Sequence, residues 1–129
     1  MAQSAGLHEP AESLGADVIN RHRAIASLQE ELEAVDWYDQ RVAATDDESL
    51  AAVLAHNRDE EKEHAAMTLE WLRRRDPAFD TVLRTYLFTE APIVEVELEV
   101  EAEGGEVGDP DAAGAGDGSL GIGSLRERR

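Results

Sequence analysis

Glu61 and His64 stand three apart in the run Arg58-Asp59-Glu60-Glu61-Lys62-Glu63-His64. On a helix, two such side chains project from one face. A carboxylate beside an imidazole begins a transition-metal site, and Glu-x-x-His is the half-motif of carboxylate-bridged di-metal centres in helical bundles. The same seven residues also read as a solvated, charge-rich helix face. Which reading holds depends on whether other ligands lie on the same side of the fold.

Glu31 is the candidate. Leu28, Glu31, Val35, Tyr38 and Val42 follow alternating steps of three and four, which sets a carboxylate inside an otherwise apolar or aromatic stripe. A charge there has to neutralise or find a cation. Tyr38 lies two turns from Glu31, in reach of an orienting hydrogen bond to a ligand. Glu30, Glu33 and Trp37 share a flanking face, equally readable as a solvated acidic surface or as the route by which a metal arrives.

The elements that position these residues follow from the same periodicity. Leu14, Val18, Ile25, Leu28, Leu32, Val35 and Val42 predict a long first helix from about Ser13. Some 30 residues would reach roughly 45 Å. Thr45-Asp46-Asp47-Glu48 has the form of a capping box with Thr45 as N-cap, so the connection is short and the next helix antiparallel. That second helix, 46–75, carries Leu50, Leu54, Asn57, Glu61, His64, Thr68 and Trp71 on one stripe. Arg73 to Arg75 suit its C-terminal dipole, and Asp76-Pro77 ends it. Phe79, Val82, Leu83, Tyr86, Leu87 and Phe88 predict a short third amphipathic helix ending near Glu90-Ala91-Pro92.

Beyond Pro92 the pattern changes. Ile93 to Glu103 alternates apolar and acidic residues, a period of two, and is read as an extended, mostly disordered segment because a lone strand with five like charges has nothing to pair with. Residues 104–118 are rich in Gly, Ala and Asp, a linker composition. Ser119-Leu120-Gly121-Ile122-Gly123-Ser124-Leu125-Arg126 then places three aliphatic anchors at intervals of two and three, the form of a docking peptide. The expected organisation is a lead-in over 1–12, an all-α domain over 13–91, an acidic and Gly-rich linker over 92–118, and a targeting peptide over 119–129.

Composition narrows the partners. The net charge is −17, with 9 Arg/Lys against 19 Asp/Glu in residues 1–91 and 3 against 10 in residues 92–129. Such a balance opposes nucleic acids and anionic membranes and favours cations or basic partners. With no cysteine, any metal site uses oxygen and nitrogen only. Neither a signal-peptide pattern near Met1 nor an apolar run of membrane-spanning length is present, so the expectation is a cytoplasmic protein.

One chain supplies Glu31, Glu61 and His64, half of a bundle di-metal site. Two hairpins related by a two-fold axis would supply the whole set, because an isologous interface presents each patch twice. The reading is therefore a metal site completed by a second copy. Oxygen-rich ligation with one imidazole per metal suits iron, with zinc, manganese or calcium as substitutes. Taken singly, each residue has an ordinary alternative: Glu61 with His64 as a local surface pair, Glu31 as an ion-pair partner of arginine, Tyr38 and Trp37 as packing residues. A non-catalytic metal-binding protein and a purely helical adaptor stay open as functions.

The segments Glu30 to Arg41 (EELEAVDWYDQR) and His56 to Met67 (HNRDEEKEHAAM) resemble the two core helices of encapsulated ferritins, over roughly Arg21 to Pro92. Ser119 to Arg126 resembles the C-terminal peptides that load such proteins into encapsulin shells. The resemblance implies two protomers forming a four-helix ferritin-like bundle, and a decamer of five dimers. It also implies a ferroxidase with Glu31, Glu61 and His64 as iron ligands, Tyr38 as the neighbouring tyrosine, and Glu30, Glu33 and Trp37 as a secondary region where iron arrives. Iron oxidised there would mineralise inside the encapsulin nanocompartment.

Overall fold

The computed structural model describes residues 6–103. After a short 3-10 turn at Ala11–Ser13 it comprises four helices: α1 (Gly15–Ala44), α2 (Glu48–Arg75), α3 (Pro77–Tyr86) and α4 (Ile93–Ala102). The described residues are all-helical, as the periodicity predicts, and none of their helices is long and apolar enough to cross a membrane. The N-terminal five residues, the linker beyond Glu103 and the Ser119–Arg126 peptide lie outside the described residues. The chain divides into two units, Met1–Leu72 and Arg73–Arg129.

In the first unit, α1 and the body of α2 run antiparallel. The cross-pairs establish it: Asp39 meets Arg58 at 3.0 Å and Glu31 meets His64 at 3.8 Å, so positions descend on α1 as they ascend on α2. Gly15 opens α1 at φ 80°, a conformation that an L side chain would strain. At the other end, the Thr45 N–H closes α1 by donating to the Arg41 carbonyl at 3.1 Å.

The start of α2 departs from the expected capping box. Thr45 is extended and completes α1, and its hydroxyl accepts from the Asp47 N–H at 3.2 Å. The N-cap is Asp47, whose carboxylate accepts from the Leu50 N–H at 3.0 Å. With Thr45 serving as the C-cap of α1, the N-cap role for α2 falls two residues on. The connection still spans only Thr45 to Asp47, short enough to enforce the hairpin.

The hairpin buries little by itself. No residue of α1 is buried, and α2 contributes only Ala65 and Leu72. Ile25, Leu32, Val53 and Met67 keep 46%, 55%, 55% and 61% of their surface exposed. A pair of helices has one mutual seam, and a broad apolar stripe needs more cover than one neighbour gives.

In the second unit, Asp76 caps α3 by accepting from the Phe79 N–H at 3.1 Å, with Pro77 at the first helical position, where its missing N–H costs nothing. Asp80 then takes hydrogen bonds from Arg73 and from Arg84, the latter at 2.9 Å. Thr85 is buried and satisfies its hydroxyl on the Thr81 carbonyl at 2.8 Å.

Residues 93–102 are helical, which corrects the extended, disordered segment expected from their alternation. Pro92 stands at the N-cap, and its carbonyl accepts from Glu95 and Val96 at 2.9 and 3.2 Å. On a helix, alternation no longer divides one face from the other. Val96 and Val100, four apart, share a side, and Val96 retains only 1% of its surface exposed beside α3. Burial of that side supplies the partner surface whose absence argued for disorder.

Candidate metal centre

Glu31 projects from the middle of α1, and Glu61 and His64 from the facing stretch of α2. One ligand atom from each lies within 4.8 Å of the others, the one such group of three among the described residues. The His64 Nδ1 is 3.2 Å from a Glu61 carboxylate oxygen and 3.8 Å from one of Glu31. The α2 pair meets because positions three apart stack on adjacent turns, and Glu31 joins because the antiparallel register brings the centre of α1 opposite. Thr68 donates its hydroxyl to the His64 carbonyl at 3.0 Å one turn further on.

The three groups adjust to one another. Glu31 is held above the ordinary carboxylate range, first by its hydrogen bond with Glu61, then by burial and by the Glu61 charge, with Glu30 adding to the same direction. Glu61 is held below its ordinary value by the hydrogen bonds with Glu31 and His64. His64 is raised, chiefly by its hydrogen bond to Glu61 and further by the charges of Glu31, Glu61 and Glu60. Physically, Glu31 and His64 each hold a proton more tightly than a free side chain does, and Glu61 releases its own more readily. Two oxygen donors and one nitrogen donor converging within 4.8 Å of one another form a set that a divalent cation would satisfy. With side chains 27%, 24% and 45% exposed for Glu31, Glu61 and His64, the cluster is open on one side rather than enclosed.

Other candidates lie around it. Tyr38 sits two turns along α1 from Glu31, with the Arg41 guanidinium 5.5 Å from its ring centroid. Trp37 is 48% exposed and lines a shallow groove with Gln40 and Arg41, while Glu30 is exposed and Glu33 half-buried. These are neighbours of the triad along α1, and none of them is one of its three converging groups.

Arg58 was not singled out by the sequence pattern. One turn before Glu61, it donates to Asp39 across the hairpin at 3.0 Å and to adjacent Asp59 at 3.1 Å. Those bonds hold its guanidinium above the ordinary arginine value. The signal was an arginine amid acids, legible only once the register puts Asp39 opposite.

With this geometry in view, comparison with known proteins gives a consistent result. The EncFtn-like family model matches residues 6–90. The chain belongs to the EncFtn-like family, the encapsulated ferritins. It is 63% identical over 129 residues to an encapsulated ferritin-like protein of Rhodospirillum rubrum, covering 98% of this chain and 92% of that one. It is 37% identical over 106 residues to an encapsulin nanocompartment cargo protein, EncC, of Myxococcus xanthus, covering 78% of this chain and 79% of that one. The crystal structure of protein ne0167 from Nitrosomonas europaea superposes with a TM-score of 0.66 at 64% identity, covering 68% of this chain and 97% of that one. The family match ends at residue 90, before α4 begins.

Proposed function

We propose that this chain is a ferroxidase whose site forms between two copies, each contributing Glu31, Glu61 and His64. The observation that carries the reading is the half-set itself. Three ligands converge from two antiparallel helices, open on one side, on a hairpin that leaves apolar residues such as Leu32 and Met67 uncovered. A two-fold partner would cover that stripe and double the ligands in one step. A ring of five such dimers is the assembly expected of this family.

Ferrous iron is the substrate. Each of two ions gives one electron to an oxidant such as dioxygen and leaves as ferric iron. The chain's residues hold the charge in place: the carboxylates of Glu31 and Glu61 would bind the metal in their deprotonated form, and His64 would offer Nδ1 once deprotonated. Tyr38 would orient the ligand sphere, and Glu30, Glu33 and Trp37 would receive iron on its way in. The open cluster has no cavity for a mineral, so ferric product goes elsewhere. The naming of the EncC relative as nanocompartment cargo supports an encapsulin interior as that place, reached through Ser119–Arg126.

The deciding experiment is aerobic oxidation of ferrous iron followed by absorbance and by oxidant uptake. The wild-type chain should turn over, and Glu31→Ala, Glu61→Ala and His64→Ala should each lose more than about a hundredfold, beyond the roughly 10–100-fold loss typical of a group that merely supports a ligand. Metal binding without oxidant uptake would reduce the protein to a metal buffer. Unchanged rates in all three variants would remove the site assignment.

A further inference from the structure

We infer that the apolar and basic end of this chain, Leu120 to Arg129, docks on the outward face of its own α4. Alternation in sequence produces two opposed aliphatic rows once the segment is wound into a helix. With Val96 and Val100 turned inward, Val94, Leu98 and Ala102 fall at successive steps of four on the opposite side. Val94 and Leu98 keep 68% and 58% of their surface exposed, and Ala102 is exposed as well. Acidic residues run along both edges of this outward stripe, Glu95 on one and Glu97 with Glu101 on the other. The result is a short apolar ridge bounded by negative charge. This face lies outside the residues that the family model matches.

A ridge of this kind calls for an occupant that is aliphatic and positive. A second α4 meets the first condition and fails the second, since it would set acid against acid across the contact. The end of the chain meets both. Leu120, Ile122 and Leu125 are its aliphatic residues, and Arg126, Arg128 and Arg129 are the only basic residues after Pro92. Extended, Leu120 to Leu125 spans about 17 Å, comparable with the ~12 Å from Val94 to Ala102 along a helix. The intervening chain reaches up to about 60 Å at ~3.4 Å per residue, several times the length of α4, so return to the same helix is sterically open. Tethering makes the encounter intramolecular, which raises the effective concentration to the millimolar range. A peptide lying there would be withheld from any external receptor until the receptor outcompetes α4.

The chain has no cysteine, so disulfide trapping reads the contact directly. In the full-length protein carrying Glu95→Cys and Ser124→Cys, mild oxidation should form an intrachain disulfide between the two substituted positions. Reversing the tail with Arg126→Glu, Arg128→Glu and Arg129→Glu should lower its yield at least about fivefold, and so should 0.5 M salt, which screens exposed charges beyond about 4 Å. Adding Glu97→Lys and Glu101→Lys to the reversed tail should restore it. The tail variants leave α4 intact, so loss of yield cannot be attributed to unfolding. A yield indifferent to tail charge would overturn the proposal. A disulfide joining position 95 of two chains, or position 95 of one chain to position 124 of another, would overturn it in favour of an interface between copies. None of these changes touches Glu31, Glu61 or His64, and iron oxidation measured alongside keeps the two readings separately testable.

Discussion

Asp39 of α1 and Arg58 of α2 are joined across the hairpin by a 3.0 Å ion pair, one turn before Glu61 on α2. That bond spans the hairpin in the same antiparallel register that brings Glu31 to His64. Because Asp39 is largely exposed, its contribution to stability is small and its effect is on alignment. In a double-mutant cycle of Asp39→Ala and Arg58→Met, each single variant should weaken metal binding and the double should be no worse than the Arg58 variant alone. Additive losses, measured by calorimetric titration with a redox-inert dication, would show that the two residues act independently.

The triad's protons give metal binding a pH dependence with a definite sign. Glu31 and His64 are raised, so both hold protons at pH values where free side chains would begin to lose them. Metal must displace those protons, and affinity should rise with pH by about tenfold per unit where one proton is released and up to about a hundredfold where two are. Titrations in buffers of different ionisation enthalpy count the protons. Glu31→Gln keeps a hydrogen-bond donor toward Glu61 and should remove the part of the slope that belongs to Glu31.

The same shifts bear on the metal-free fold. A raised group stabilises the folded chain below its unfolded pKa and loses that contribution as pH climbs through the folded value, whereas lowered Glu61 contributes above its unfolded pKa and loses it as pH falls through the folded one. His64 should therefore make the apo protein slightly less stable as pH rises above about 6.5. Chemical denaturation at pH 6 and pH 8 checks this, with His64→Ala abolishing the difference.

Exposed Leu32 and Met67 mark the face that a second copy would cover. Leu32→Glu should shift the native mass from an assembly toward single chains, and added divalent metal should shift the wild type the other way. Native mass spectrometry with and without metal reads both. Identical masses throughout would leave the apolar stripe unexplained.

Val96 is the most deeply buried side chain among the described residues. Val96→Ala should cost about 2 kcal/mol of the stability of α4. The loss should appear as faster amide exchange confined to the second unit, with α1 unaffected.

Much of this was legible before any coordinates. The steps of three and four through Leu28, Glu31, Val35 and Tyr38 and through Leu54, Glu61, His64 and Thr68 revealed both long helices and identified the inward polar residues, because helical periodicity is a local property. Thr45 misled because a capping signature does not say which helix end its threonine serves. The Asp39–Arg58 bond needed the register, which no single helix encodes. Ile93 to Glu103 misled for a related reason: a period of two describes a strand only when something covers one of its faces, and here Val96 is buried as part of a helix that contacts α3 instead.

That helix also determines what the segment does not offer to other molecules. Written as a strand, Ile93-Val94-Glu95-Val96-Glu97-Leu98 would present a β-prone edge with unpaired N–H and C=O groups, restrained from stacking on its neighbours mainly by glutamate charge. Wound as α4, it bonds those backbone groups internally. Acid, which neutralises the glutamates, therefore matters here less through charge than through shape. Only if α4 also unwinds does the segment become a template for fibrillar pairing.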